Sequence, residues 1–519
     1  MSHPEDDIER SPRDSEDTDV PNVAHTEKQS PSSKSKEAEA GSINDAPRSK
    51  EEQDEDDKYL VHLDAEDDPK QMSVMRKWII LIVVCSAALC ATCASSMAGF
   101  AEAGVSQDFH VAKEVAILGI SMYVLGLGLG PLLIGPLSEV HGRNPIYRIS
   151  YFLFFATSFP VAFAPDIAVY LVFRFFTGFC SSAFLSVAGG TVSDLFDDSH
   201  VVLPMAAYST APLIGPAVGP LLSGFINQNT TWRWTYRVLI IWTFVEWILL
   251  LLFVPETYTP VLLKHKAKHL RKTTSDERYW APVDRRQHSM LQAMVLSCYV
   301  PFKLLATDPM ALLIDIWSAL ILGIQYLTFQ AFPIIFEQGH GFNVQQTGLS
   351  FIGMGLGLLL GFLVQPLFTR YFRSQCEKHN GRLPPEVRLI PGQFGAVLMP
   401  VGLFWLAFTT YPHVHWIVPI LASVPFGMGI LMSFAAIFTF TVTAYRPIAA
   451  SAMAANTFVR TASAAAFPLF AGQMYDRLGT VGATALLAGL MTLFAPLPFI
   501  FYRIGARLRA KSKFTTPPQ

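Results

Sequence analysis

From about residue 78 onward the chain alternates long apolar runs with short polar breaks, and the runs have the length of membrane crossings. A helix needs roughly 20 mostly apolar residues to span a bilayer. Such segments fall near 78–100, 115–137, 146–164, 167–190, 202–226 and 235–254. After a polar stretch from Pro255 to about Lys303, further segments fall near 310–335, 346–369, 389–410, 414–440, 449–472 and 479–502. The pattern predicts an all-α integral membrane protein of twelve transmembrane helices in two six-helix bundles, 78–254 and 308–503, joined by a central loop at 255–307. Residues 1–77, rich in Asp, Glu, Lys, Ser and Pro, are expected to form a disordered tail, and 504–519 a second, short one. The first tail has no apolar core of the kind a cleaved signal needs, so the helix starting near Trp78 is expected to act as an uncleaved insertion signal.

Basic residues decide the orientation, because Lys and Arg favour cytosolic loops. The link between the first two segments has only Lys113, and those around Pro165, Gly341 and His413 have none. The alternate links carry Arg143 and Arg148, then Lys264, Lys266, Lys268, Arg271 and Lys272, then Arg370, Arg373 and Arg388, and the chain ends on Arg503, Arg507 and Arg509. Both termini and the central loop are therefore expected in the cytosol. Composition agrees with a membrane protein: 51% of residues are hydrophobic and 15% charged, against about 25% charged in soluble domains. A net charge of −2 gives no reason to expect nucleic acid as a partner. Cys85, Cys90, Cys93, Cys180, Cys298 and Cys376 are read as free thiols. No His/Cys cluster with metal spacing, no nucleophile–base constellation and no Gly-rich nucleotide-binding loop occurs, so no metal, no cofactor, no enzyme activity and no direct ATP coupling are expected.

Four short motifs stand out along the apolar segments. Gly126, Gly128 and Gly130 in the second segment have counterparts Gly353, Gly355 and Gly357 in the eighth, as expected of a duplicated transporter or simply of close helix packing. The loop after the second segment reads Gly135-Pro-Leu-Ser-Glu139-Val-His-Gly142-Arg143-Asn-Pro-Ile-Tyr-Arg148, and it resembles the loop signature of the major facilitator superfamily. In that reading Gly135 lets helices approach, Gly142 makes the turn, and Arg143 pairs with a carboxylate for which Asp194 is the candidate. The resemblance implies a network that latches the cytosolic side shut. Ser138-Glu139 and Asn144 depart from the usual pattern, which predicts a weaker latch. Arg174 and Gly178 match the superfamily's intramembrane arginine motif, linked to proton transfer; the plain alternative for Arg174 is an interhelical hydrogen-bond donor. The fifth segment carries Gly215-Pro216-Ala-Val-Gly219-Pro220 and Gly224, similar to the antiporter motif that separates exporters from importers, or a bare proline kink.

Further segments narrow the resemblance to the fungal twelve-span drug:proton antiporters across nearly all of 67–509: Asp67-Asp68-Pro69, Pro255-Glu256-Thr257-Tyr258, Pro385-Glu-Val-Arg388-Leu389, and Ser451 to Arg460. The resemblance implies a major facilitator fold and proton-driven export of small organic molecules, namely drugs, polyamines, organic acids or a fungal secondary metabolite. Its partners are then substrate, protons and the lipid bilayer, with the chain a monomer in the plasma membrane or, alternatively, the vacuolar membrane. A reading of another class is a non-transporting membrane sensor.

For the working residues the sequence offers few acids at membrane depth, where ionisable groups are costly and functional by default. Glu246 and Asp315 are the clearest proton-coupling candidates beside Arg174, with Glu102 near the far end of the first segment. Asn456 and Arg460, four apart on one helix face, are candidates to hold a polar or anionic substrate, or form a structural pair. Trp317, Tyr326, Phe329 and Phe332 are candidate cavity aromatics. Pro260 to Lys272 reads as a basic surface helix or a solvated linker, and Asn229-Thr230-Thr231 as a glycosylation acceptor.

Overall fold

In a computed structural model of the chain, residues 59–64, 67–197, 201–285, 290–378, 384–512 and 514–515 are described. The helices in order are α1 Val74–Ser96, α2 Ala98–Phe109, α3 Lys113–His141, α4 Arg143–Ala162, α5 Ile167–Ser181, α6 Ala183–Ser186, α7 Ala188–Leu195, α8 Val202–Asn229 and α9 Trp232–Phe253. Then follow α10 Thr259–Thr274, α11 Met290–Thr307, α12 Pro309–Phe332, α13 Val344–Ser350, α14 Ile352–Lys378, α15 Ile390–Ala407, α16 Ile417–Ala444, α17 Ala449–Phe494 and α18 Leu497–Lys511. Ten stretches are long and apolar enough to cross a membrane. The last of them, Ala449–Lys511, is two crossings turned at Gly479, whose φ of +69° only glycine adopts freely. Helix α4, less apolar, packs between α5 and α9 and completes the twelve.

Local chemistry sets the ends. Asp166 accepts the Val169 amide at 2.8 Å to start α5, and Asn343 with Gln346 forms a reciprocal capping box on α13. Asp308 accepts two first-turn amides of α12. Gly142, at φ +98°, turns the chain from α3 into α4.

We call the end where the chain enters at Val74 and leaves at Lys511 proximal, and the other distal. Crossings one to six form one half and seven to twelve the other, and the glycine echo proves to be a packing rule. In the first half, a side chain on Gly126 or Gly130 would strike Phe175 and Phe179 backbone or Ser182 of the fourth crossing. In the second, Gly353 and Gly357 sit as closely on Ile420 and Val424 carbonyls of the tenth. The middle glycine of each triplet faces the opposite half instead, Gly128 against Thr461 and Gly355 against Ala217. Reciprocally, Gly178 abuts the Tyr123 carbonyl and Gly427 that of Met354. Gly135, expected to admit a neighbour, meets nothing within 4 Å.

The tails and central loop differ from expectation. Part of the expected tail is tied to the central loop: Val61 and Trp280 share a backbone hydrogen bond at 3.1 Å, Val61 buries against Ala267 and Ala281, and Lys266 binds Asp64 at 2.6 Å. Met290–Thr307, expected as part of the polar central loop, is helical, with mostly apolar residues and Pro301 inside the helix. Helix α10 buries Val261 and Ala267 and leaves Lys264, Lys268 and Lys272 exposed. At the other end, the expected tail from 504 is helical to Lys511, pinned by Arg509 to the buried Glu386 at 2.7 Å. Residues 1–58 and 516–519 lie outside the described residues.

The packing rule predicts that Gly126→Leu or Gly178→Leu costs about 1–3 kcal/mol through overpacking, read as a lower melting temperature of the solubilised protein, whereas Gly135→Ala leaves it unchanged. Equal melting for all three variants would contradict it.

Candidate transport pathway

Hydrocarbon offers no hydrogen bonds, so each break in a membrane helix needs a side chain to satisfy the freed backbone. The first crossing breaks at Met97, and Arg174 of the fourth fills the gap. Its Nη1 donates to the Ala94 carbonyl at 3.1 Å and its Nε to that of Gly119 at 2.9 Å, over the ring of Tyr123. Arg174 is 1% exposed, with no ion-pair partner among the described residues. Its geometry is that of a donor tying three helices, the plainer of its two readings. Nη2 finds no partner.

The fifth-crossing motif does related work. Prolines 216 and 220 cannot donate. Ser96 donates to the Gly215 carbonyl at 3.1 Å, and Gly215 and Gly219 press against Thr92 and Ser96 of the first crossing. Gly224 lies across the boundary, with the Val344 carbonyl and Gly348 of the eighth crossing at 3.0 and 3.1 Å from where a Cβ would stand. The motif therefore shapes both a contact within its half and one between halves.

Among the described residues four polar ties join the halves, and all lie on the distal side. Ser95 and Tyr326 share a hydroxyl–hydroxyl bond at 2.7 Å, Ser121 donates to the Ala465 carbonyl at 2.6 Å, and the Val344 amide donates to Gln228 at 3.1 Å. The fourth carries charge: Gln330 Nε2 lies 2.7 Å from both carboxyl oxygens of Glu102, which is 4% exposed. Phe329 packs on Gly99, and Phe100 and Phe329 on Phe351, making the seam's apolar flank. Phe332 stacks on the same Phe351.

Deeper toward the proximal side sits a second polar group. Asn456 donates through Nδ2 to Asp315 Oδ1 and to Ser318, each at 2.8 Å, and Asp315 Oδ2 and Asn456 Oδ1 are left buried and unpartnered. One turn on, Arg460 lies over Phe438 and Phe434 at 5.0 and 5.7 Å. Trp317, by contrast, faces Gly392 of the ninth crossing inside its own half, 1% exposed. Glu246 also stays inside its half, accepting from Ser86 and, at 3.2 Å, from Trp242.

At the proximal end Arg143 meets Asp194, Nε to Oδ2 at 3.3 Å, while Nη1 donates to Ser138 at 2.7 Å and the guanidinium covers the Tyr258 ring at 4.6 Å. Glu139 takes no part; it is exposed. Its expected place is filled by Glu256, which accepts the backbone amides of Arg143 at 2.9 Å and Asn144 at 3.1 Å and presses on Gly142. Glu256 and Gln330 were not singled out from sequence. Glu256 stood in a quoted motif without a role, and Gln330 lies four residues after Tyr326 on the same face. Asn229 ends α8, exposed, its amide donating to the Phe225 carbonyl at 2.8 Å.

Two six-helix halves tied at one end around buried, unmatched polar groups define a polytopic membrane transporter, not an enzyme. Residues 84–468 match the Major Facilitator Superfamily, and the chain belongs to that family. It is 42% identical over 465 residues to Efflux pump atB of Aspergillus terreus, across 88% of this chain and 90% of that one. It is 41% identical over 453 residues to Probable drug/proton antiporter YHK8 of Saccharomyces cerevisiae, across 87% and 88%. Among solved structures it resembles the E. coli xylose transporter XylE in a partially occluded inward-open conformation, with a TM-score of 0.60 at 16% identity over 83% of this chain and 98% of that one. It also resembles a peptide transporter, POT, in complex with sulfate, with a TM-score of 0.61 at 13% identity over 86% and 99%. At such identities the structural likeness speaks for fold alone.

Arg143→Ala and Glu256→Gln are each expected to lower transport by about tenfold, the worth of a charge-assisted hydrogen bond, with membrane insertion and monodispersity kept. Glu139→Gln is expected to change little. Wild-type rates in the first two would remove the network from the transport cycle.

Proposed function

We propose that the chain exports small organic molecules in exchange for protons, by alternating access between its two halves. The observation that carries this reading is the acid in the seam: Glu102 is buried and hydrogen-bonded to Gln330 of the other half. Efflux and drug/proton antiport in the names of its close relatives support the direction of transport, as does the Gly-Pro pattern of the fifth crossing. The distribution of Lys and Arg supports a cytosolic proximal end, so the distal seam faces outward. Each chain holds a complete pathway between its own halves, which is the basis for a monomer, and the plasma membrane is the location this reading favours.

The coupling follows from solvation. With the seam open, Glu102 is wetted from outside and takes a proton. Closing the seam removes the carboxyl from water, at a cost of several kcal/mol for an ion and far less for the neutral acid, so protonation favours closure. Asp315, on the proximal side of Tyr326, then serves exchange with the cytosol, where an arriving substrate and a departing proton meet at Asp315, Asn456 and Arg460. Substrate leaves when the deprotonated, loaded form reopens the seam. Arg174 positions the broken first crossing throughout.

In inside-out proteoliposomes with an imposed pH gradient, uptake of an amphipathic drug probe is expected to collapse when the gradient is dissipated. Asp315→Asn is expected to lower gradient-driven uptake while retaining binding. Binding without gradient-dependent flux of any compound would favour the sensor reading, and an Asp315→Asn variant with unchanged pH dependence would remove that acid from the coupling.

A further inference from the structure

A guanidinium kept inside a membrane bundle without a counter-ion needs a reason, since an unpaired buried charge is costly. Arg460 is 9% exposed. Its Nε is buried with no hydrogen-bond partner, and Nη2 reaches only Thr457, at 3.4 Å. No carboxylate lies within ion-pair distance among the described residues; Asp315, the nearest acid in its field, gives its bonded oxygen to Asn456. Nε and Nη2 form the edge by which arginine takes a planar carboxylate through two parallel bonds, and on this edge the only partner among the described residues is the Thr457 hydroxyl.

The surroundings fit an organic acid and not an inorganic ion. Phe438, half-buried, and Phe434 lie under the guanidinium, and Tyr208 of the fifth crossing and Tyr326 of the seventh stand within its field from the two halves. Both tyrosine hydroxyls are already engaged, with the Phe184 carbonyl and with Ser95. One fixed cation among aromatic faces matches a flat, apolar body bearing a single negative group.

We infer that Arg460 is the substrate anchor, and that it selects aromatic or similarly flat monocarboxylates through its Nε–Nη2 edge. This rests on the export reading above and narrows its substrate class.

The test compares 2-naphthoate with 2-naphthamide, which share a ring system and differ in charge, on the purified full chain by titration calorimetry. The wild type is expected to bind the acid at least about tenfold more tightly than the amide. Arg460→Gln is expected to erase that preference by weakening the acid alone, and Arg460→Lys to restore part of it. Equal affinity of the wild type for acid and amide would overturn the inference without recourse to any variant, as would an unchanged preference in a monodisperse Arg460→Gln protein. Flux in proteoliposomes separates the two claims. Gradient-driven uptake of both compounds without preference would sink the anchor and leave export standing, whereas acid-selective binding with no gradient-driven uptake of either would leave the anchor and sink export.

Discussion

Every polar group of the backbone inside the bilayer must find its partner within the protein, and this requirement organises the structure. Where the first crossing breaks, Arg174 reaches over to the Ala94 carbonyl, and beside the prolines of the fifth Ser96 bonds the carbonyl of Gly215. Among the buried polar atoms left without a partner, those of Asp315, Asn456 and Arg460 belong to neighbouring side chains, and Glu102 is bonded across the seam to Gln330.

The halves are built to move as units. Within each, glycines of the second and eighth crossings let backbones touch, so that the paired helices have no slack to absorb a sliding motion. Between the halves lie the close approaches of Gly224 to Gly348 and of Gly128 to Thr461, an aromatic flank, and hydroxyl, amide and carboxyl ties. A rocking motion separates these contacts while leaving the packing within each half intact.

Much of this was legible in the sequence, for identifiable reasons. Crossings announce themselves by apolar length, and the glycine triplets could be matched by spacing, though only the structure shows that the middle member of each looks across the seam. Arg143 and Asp194 were readable as partners because a loop arginine beside a helix-end acid has few alternatives. Glu139 was misassigned and Glu256 overlooked because choosing between two nearby acids needs the direction of each side chain, which a turn at Gly142 decides. The seam escaped notice for a similar reason. Ser95, Gly99 and Glu102 form one stripe and Tyr326, Phe329 and Gln330 another, yet nothing in either stripe says that they face each other. Trp317 and Glu246 were plausible by depth alone, and depth does not tell interior of a half from pathway between halves. The segment Met290–Thr307 was lost to Pro301 and Lys303, which break the apolar count without preventing a helix.

The central claim is that protonation of one carboxyl controls the distal seam, and the distance across that seam as a function of pH tests it most directly. Spin labels at the exposed distal positions Gln107 and Tyr411, introduced as Gln107→Cys and Tyr411→Cys with the half-exposed Cys85, Cys298 and Cys376 replaced, report the separation of the halves by pulsed electron resonance. The account predicts a short separation at acidic pH, a growing longer population as pH rises, and a short separation at every pH in Glu102→Gln. A distribution indifferent to pH, or a Glu102→Gln protein that opens with pH as the wild type does, would contradict it.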